Sequence, residues 1–190
     1  MKTGLIVCFT GPSGVGKTSY TKRLIEKYNF ILPTIATTRL RRTDDGNNYM
    51  YVSEALFLQM MENNSFVEWD KYLDCYYGTL LKDFNESLTL KNTNGLILDL
   101  TPNGCNKIKE MYPSAIIIAI LPDDSSWLIK RLIDRNSQSI EEIKKRTGIL
   151  EEYISKLKTL QCDFIYANYS EKSWDNTFKK IERIILKKAK

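Results

Sequence analysis

Continuous apolar runs alternate with amphipathic stretches through most of this chain. The apolar runs predict buried strands at 5–9, 30–38, 95–100, 115–121 and 164–167. The amphipathic stretches have helical spacing and predict helices at 19–28, 103–111, 125–134, 140–160 and 174–188. Strands that alternate with helices favour a parallel sheet with right-handed crossovers, because parallel neighbours need long connections. The pattern therefore predicts an α/β fold.

The segment from about residue 33 to 90 interrupts this alternation. It is rich in aromatic residues and has short β segments at 49–52, 66–72 and 76–78. Ser53, a favourable N-cap residue, and the pair Asn63-Asn64 predict the two ends of a helix over 54–62. We therefore expect a small β-containing insertion without long helices inside the α/β core.

Residues 11–18 read Gly-Pro-Ser-Gly-Val-Gly-Lys-Thr, a complete G-x-x-x-x-G-K-[ST] phosphate-binding loop between a predicted strand and a predicted helix. Glycines let the backbone approach phosphate oxygens, and the N–H groups at the helix start favour anions. Lys17 is expected to reach the β- and γ-phosphates, and Thr18 to hold Mg²⁺ through its hydroxyl. The predicted ATP-binding residues of this loop are Ser13, Gly14, Val15, Gly16, Lys17 and Thr18. The alternative is a glycine-rich turn that only caps a structural helix.

The composition of the chain limits which ligands and catalytic groups are possible. The 190 residues fit one domain, and a net charge of +5 suits anionic ligands. The chain has no histidine, so imidazole is excluded as a general base and as a metal ligand. The four cysteines lie far apart without metal-ligand spacing, which favours reduced thiols and a cytoplasmic location.

Two classes of partner are not expected. No apolar run is long enough to span a membrane. Lysines are frequent from Lys179 to Lys190, and a solvated helix end is favoured there over a nucleic-acid patch.

Charged residues beyond the loop predict a second phosphorylated ligand. Asp99 ends an apolar strand, as a Walker-B aspartate does, and is expected to order the water around Mg²⁺. Arginines, which bind phosphate bidentately, form two groups: Arg39, Arg41 and Arg42, and Arg131, Arg135 and Arg146. The loop that carries Arg135 is expected to close as a lid. The alternative for Arg41 and Arg131 is a solvated helix or loop surface.

Several motifs of the middle segment occur together, in order and with matching spacing. They are Thr37-Thr38-Arg39, Arg42, Gly46, Tyr49 to Ser53, Phe66-Val67-Glu68-Trp69 and Tyr76-Tyr77-Gly78-Thr79. In this combination the chain resembles the guanylate kinase family, with one residue missing between Arg42 and Tyr49. The resemblance extends from the phosphate loop to Asn168.

The resemblance implies a P-loop nucleoside monophosphate kinase fold: a parallel-sheet core, a small α+β nucleotide-binding insertion and a helical lid. All of 1–190 would form one domain, with the core at 1–33, 89–123 and 151–190. The GMP-binding subdomain would span about 34–88, and the lid about 124–150. The implied activity is ATP-dependent phosphorylation of GMP, and also of dGMP, by direct in-line transfer with Mg²⁺.

The resemblance also implies roles for individual residues. Arg39, Arg42, Tyr49 and Tyr77 would grip the phosphate of GMP, and Glu68 would accept hydrogen bonds from guanine N1 and N2. Thr79 would donate to O6, and the GMP site would also include Gly78, Asp99 and Thr101. The implied catalytic residues are Lys17, Arg42, Arg135 and Arg146. Arg131, Asn168 and Tyr169 would complete the ATP site.

The sequence departs from the family at two positions on the guanine side. Ile35 stands where the family usually has serine, and Asp99-Leu100-Thr101 replaces the usual Asp-x-Asp, so a hydroxyl stands in place of a carboxylate. We therefore expect phosphoryl transfer to be retained, while guanine recognition stays open.

Three other functions compete with the phosphorylation of GMP, and the two departures favour the first of them. One is a kinase with another acceptor, either a different nucleotide or a phosphorylated sugar. A non-catalytic peptide-binding scaffold is disfavoured because the phosphate loop and the lid arginines are intact. A GTPase is disfavoured because an N-K-x-D-type motif is lacking. The sequence leaves a monomer and a homodimer both open.

Overall fold

The computed structural model describes residues 4–43, 45–134, 141, 144–145, 148, 150–167 and 171–188. Its strands are β1 Leu5–Thr10, β2 Phe30–Ile31, β3 Ile35–Thr37, β4 Tyr49–Tyr51, β5 Phe66–Tyr72, β6 Cys75–Leu80, β7 Gly95–Asp99, β8 Ile116–Pro122 and β9 Asp163–Ala167. Its helices are α1 Lys17–Tyr28, α2 Glu54–Glu62, α3 Leu81–Thr89, α4 Pro102–Met111, α5 Ser125–Asp134, α6 Leu150–Lys158 and α7 Glu171–Lys188.

The larger sheet confirms the predicted α/β class. Its five strands have the order β2-β7-β1-β8-β9, and every neighbouring pair is parallel. Successive residues of β1 face opposite sides, with Val7 and Phe9 in one apolar cluster and Ile6 and Cys8 in the other. Both faces of the sheet are therefore covered, which explains the continuous apolar runs of its strands.

The segment between β2 and β7 forms a second sheet with the order β4-β3-β6-β5. Strands β3 and β4 are parallel, while β6 is antiparallel to both β3 and β5. Phe57 of α2 is fully buried against this sheet and stacks on Phe66 and Tyr76, with ring centroids 4.6 and 5.3 Å away. Helix α2 begins as predicted, because the Ser53 side chain accepts a hydrogen bond from Leu56 N.

One prediction for this segment was wrong, and one short helix was missed. The run 30–38 is not one strand, because β2 joins the five-stranded sheet and β3 joins the four-stranded sheet. Pro33 lies in the break, where its missing N–H costs no ladder hydrogen bond. The segment also contains α3, which has no side-chain N-cap and therefore lacked a start signal in the sequence.

Only part of the long helix predicted over 140–160 lies within the described residues, where α6 covers Leu150–Lys158. Among the described helices, none is both long enough and apolar enough to cross a membrane.

Gly78 of β6 gives a test of packing in the smaller sheet. A Cβ at this position would lie 2.7 Å from Cδ1 of Phe66, whose ring is already held against Phe57. We expect Gly78→Ala to lower the free energy of unfolding by about 1–3 kcal/mol, because overpacking strains a filled core. Urea denaturation measures the change.

Phe66→Leu tests whether the Phe66 ring causes this clash, because it removes the ring that the new Cβ would meet. In the Gly78→Ala background it should restore part of the lost stability, although Phe66→Leu alone is destabilising. Strictly additive losses in the double variant would contradict the proposed contact.

Candidate active site

An open cleft of about 830 Å³ separates the carboxyl ends of β1 and β7 from the inner face of the smaller sheet. The phosphate loop forms one wall, and the smaller sheet contributes side chains from β3 to β6. The volume is in the range of nucleotide-sized ligand sites. The topology thus brings both predicted phosphate-binding regions to a single cleft.

The phosphate loop holds its lysine in a compact arrangement. Lys17 Nζ donates to the carbonyl oxygens of Gly11 at 2.7 Å and Pro12 at 3.3 Å, and Asp99 Oδ1 lies 3.7 Å away. Gly16, the N-cap of α1, has φ of 106°, a left-handed conformation that favours glycine. Burial raises the pKa of Asp99, and the charge of Lys17 opposes this shift. The loop therefore presents an ammonium group and the start of α1 to the cleft.

Trp174 of α7 packs on the outer side of the phosphate loop. A Cβ on Gly16 would lie 2.1 Å from Cη2 of Trp174, so the indole closes on the glycine backbone. The same ring lies 4.8 Å from Tyr20, centroid to centroid, and 4.7 Å from Cζ of Arg131. The cation–π contact holds Arg131 at the edge of the cleft that it lines.

A buried ion pair supports the opposite wall. The guanidinium of Arg39 donates to both carboxylate oxygens of Asp45, at 2.6 and 2.7 Å, and both side chains are only 7% exposed. Asp45 also accepts hydrogen bonds from Arg42 N at 2.7 Å and Tyr51 Oη at 2.6 Å. Tyr49 lies over the guanidinium, with its ring centroid 4.7 Å from Cζ. Asp45 therefore fixes the segment that carries both predicted phosphate-binding arginines.

These contacts lower the pKa of Asp45. Burial alone would raise the pKa of Asp45, but hydrogen bonds from Arg39, Tyr51 and Arg42 N outweigh it and hold this pKa well below its usual range. Burial also raises the pKa of Tyr49 to about 12.

The wall of the cleft formed by the smaller sheet, opposite the phosphate loop, is called the acceptor wall because the predicted acceptor-binding residues lie on it. It contains one deeply buried carboxylate, Glu68 of β5. Its Oε1 accepts hydrogen bonds from Thr79 Oγ1 at 2.6 Å and Thr79 N at 3.2 Å. Burial raises the pKa of Glu68, hydrogen bonds from Thr79 oppose the shift, and the charge of Asp70 adds to it. The other oxygen, Oε2, lies 2.7 Å from the position that a Cβ of Gly104 would occupy.

Known proteins resemble this chain over most of its length. A family model described as guanylate kinase matches residues 3–188. The guanylate kinase of Prochlorococcus marinus strain MIT 9312 is 35% identical over 183 residues, which cover 95% of this chain and 96% of that protein. The chain belongs to the guanylate kinase family. The guanylate kinase of Caldanaerobacter subterraneus is 40% identical over 165 residues, covering 82% of this chain and 77% of the relative.

A solved structure agrees on the family fold. The crystal structure of guanylate kinase from Anaplasma phagocytophilum superposes with a TM-score of 0.70 and covers 100% of this chain and 88% of that one. Its sequence identity is 19%, so this likeness concerns the fold alone.

Most of the site residues predicted from the phosphate-loop motif and from the family resemblance line the cleft, although their roles stay predictions. They are Ser13, Gly14, Gly16, Lys17, Thr18, Arg39, Arg42, Tyr49, Glu68, Tyr77, Thr79, Asp99, Thr101 and Arg131. Val15 is fully buried, and Gly78 packs against Phe66; neither lines the cleft. Arg135, Arg146, Asn168 and Tyr169 lie outside the described residues.

Sequence reasoning missed two residues of the acceptor wall. Asp70 lines the cleft beside Glu68, and Gly104 gives Glu68 its space. Strand alternation could have found Asp70, because residues two apart on β5 leave the strand on the same face. No sequence pattern could have found Gly104, because its contact depends on how α4 packs against β5.

The buried pair of Arg39 and Asp45 gives a pH-dependent prediction. Asp45→Asn should lower the free energy of unfolding by about 3 kcal/mol at pH 7, because it leaves a buried guanidinium without its counter-charge. The pKa of Asp45 is lower in the folded chain than in the unfolded chain. The pair therefore stabilises the fold above the ordinary aspartate pKa of about 3.9, and this contribution is lost as pH falls below it.

Urea denaturation at several pH values measures this difference, which should narrow below about pH 4. Asp175→Asn is the control, because Asp175 forms an exposed ion pair with Arg23 and should change the urea midpoint little. A difference that stays constant down to pH 3 would contradict the assignment.

Gly104 gives a prediction for Glu68. In Gly104→Ala the new methyl group would overlap Glu68 Oε2, so we expect the carboxylate to move. Acceptor binding should weaken by about tenfold or more, since an active-site group displaced by about 1 Å can lose far more than that. Calorimetric titration with GMP measures the change, and Asn103→Ala, at an exposed neighbouring position, is the control. Unchanged affinity in Gly104→Ala would show that Glu68 is not held there.

Proposed function

We propose that this cleft transfers the γ-phosphoryl group of ATP to GMP, giving ADP and GDP. Membership of the guanylate kinase family over nearly the whole chain supports this activity. The observation that carries the site assignment is that the phosphate loop and the buried Glu68 open into the same cleft. Donor phosphates and acceptor base can therefore be bound on opposite walls.

On the donor side, backbone N–H groups of the phosphate loop and Lys17 bind the ATP phosphates. Arg131, Asn168 and Tyr169 contribute to the rest of the ATP site, and Arg135 and Arg146 stabilise the transferring group. Thr18 lines the cleft at the start of α1, and Asp99 lies across from it on β7, so both suit a hard cation. We propose that they hold Mg²⁺, Asp99 through water, and that bound Mg²⁺ neutralises phosphate charge.

On the acceptor side, Arg39, Arg42, Tyr49 and Tyr77 form the phosphate-binding wall. The attacking atom is a phosphate oxygen of GMP, which is ionised at neutral pH, so a histidine base is not required. Positioning and electrostatic stabilisation supply the catalysis, and Arg42 and Lys17 approach the reacting groups from opposite walls.

Base selection rests on Glu68. Guanine presents N1–H and N2–H donors side by side, and a carboxylate can accept from both. Thr79 donates its hydroxyl proton to Glu68 in this structure, so donation to guanine O6 requires this hydroxyl to turn from Glu68 to the base when GMP binds. Adenine lacks this donor pair, so it would leave the buried Glu68 with only its hydrogen bonds from Thr79. The same contacts accept dGMP, because they do not involve the ribose.

The remaining assignments concern the cellular setting. None of the four cysteines, which all lie within the described residues, forms a disulfide, and this supports a reducing, cytoplasmic location. The binding partners are nucleotides, and the protein acts as a monomer or a homodimer.

A coupled ADP-release assay tests the function, with ATP and Mg²⁺ and a panel of GMP, dGMP, IMP, AMP, CMP and UMP. We expect turnover with GMP and dGMP. Lys17→Ala should lower kcat by about 10²–10³-fold, the usual effect of removing a transition-state charge partner. Glu68→Gln should raise KM for GMP, because the amide cannot accept from both donors.

Lys82→Ala, which removes the same charge at an exposed position outside the cleft lining, is the matched control for the loop lysine. Failure to form ADP with any monophosphate, in a protein that still binds ATP, would refute the proposal. A preference for another acceptor would instead establish an altered substrate.

A further inference from the structure

Asp70 is a carboxylate of the acceptor wall to which the mechanism above gives no role. It lies on β5 two residues after Glu68, so both side chains leave the strand on the same face. Across the ladder, Glu68 pairs with Thr79 and Asp70 pairs with Tyr77, and all four residues line the cleft. Asp70 is half-buried and thus open to a ligand in the cleft.

Thr101, at the end of the loop after β7, holds this carboxylate. Its hydroxyl donates to Asp70 Oδ2 and accepts a hydrogen bond from Gly104 N at 3.1 Å. A threonine hydroxyl has one proton, and here that proton is used on Asp70. Thr101 therefore positions an acceptor instead of offering a donor to a ligand.

A second contact fixes the other oxygen, because Lys71 N donates to Asp70 Oδ1 at 2.9 Å. An ionised carboxylate can accept about four hydrogen bonds, and the described residues supply these two. The two donors therefore orient the Asp70 carboxylate and leave part of its acceptor capacity for a ligand. A fixed acceptor with remaining capacity, beside a second carboxylate, is suited to a ligand with adjacent N–H donors.

We propose that Asp70, oriented by Thr101, accepts a hydrogen bond from the exocyclic amine at C2 of guanine. This inference rests on the proposed function. The amine has two protons that point in different directions, and Glu68 can accept only the one on the N1 side. Side chains two apart on a strand are separated by about 7 Å, which lets two carboxylates flank one amine.

This arrangement changes the interpretation of Thr101. The hydroxyl that replaces a carboxylate in Asp99-Leu100-Thr101 does not leave the guanine edge without a second acid, because Asp70 supplies one from the facing strand. Asp70 thus becomes a specificity-determining residue, and Thr101 becomes its positioning residue. Hypoxanthine, which has N1–H but no C2 amine, would bind Glu68 and make no hydrogen bond to Asp70.

The test compares kcat/KM for GMP and IMP in Asp70→Asn. The substitution keeps the size of the side chain, but the amide replaces a charged acceptor. We expect kcat/KM for GMP to fall about 10–100-fold, the range for a hydrogen bond to a charged group, while the value for IMP changes less than about threefold. Asp83→Asn, which removes the same charge outside the cleft lining, should leave the GMP-to-IMP ratio unchanged.

Thr101 variants test the positioning role. Thr101→Val should lower the ratio of kcat/KM for GMP to kcat/KM for IMP. Thr101→Ser, which keeps the hydroxyl, should leave this ratio close to that of the wild-type protein. Calorimetric titration of GMP and IMP without ATP gives a readout independent of turnover. Thermal unfolding verifies that each variant is folded, and Asp70→Ser provides the same ratio test with a smaller side chain.

Two results would overturn the inference: an unchanged GMP-to-IMP ratio in folded Asp70→Asn and Asp70→Ser, or equal losses for GMP and IMP. Either could occur while the wild-type protein phosphorylates GMP, and the proposed function would then stand. A wild-type protein that binds neither GMP nor IMP would overturn the proposed function and this inference together.

Discussion

Parallel strands bring their carboxyl ends to one edge of a sheet, and the site depends on this constraint. Strand β1 lies between β7 and β8, so the loop after β1 and the residue that ends β7 are neighbours at that edge. The 3.7 Å separation of Lys17 Nζ from Asp99 Oδ1 follows from that pairing. Ligand sites in open α/β sheets form outside the carboxyl ends of the strands, and the cleft opens there.

A second constraint is that charges removed from water need partners. Asp45 satisfies Arg39, Thr79 satisfies Glu68, and Thr101 holds Asp70. Such pairs do not guarantee a gain in stability, because desolvation offsets much of the attraction. Their clear consequence is geometric: each functional side chain is held in one orientation before a ligand arrives. The acceptor wall therefore combines the predicted phosphate-binding arginines with Glu68 and Asp70, and each of these two acids has a hydrogen-bond donor among the described residues.

Hydrophobic periodicity predicted some elements of this fold correctly and misread others. The continuous apolar run of β8 predicted a strand covered on both faces, and all seven of its residues are buried. The run 30–38 was misread, since apolar periodicity does not show that a chain passes from one sheet to another. Helix α3 was missed because Leu80 offers no capping side chain, so its existence depends on burying Phe84 and Ser87.

The sequence by itself determined the local chemistry: a loop whose glycines and lysine are contiguous, and the motifs that mark the family. These signals are readable because their residues interact with near neighbours or with the backbone they belong to. Tertiary structure alone decided which distant side chains share the acceptor wall of the cleft. Asp70 and Thr101 are 31 residues apart, and Gly104 limits Glu68 only because α4 packs on β5. Packing between elements sets such contacts, and hydrophobic periodicity specifies which face is buried but not which residue it meets.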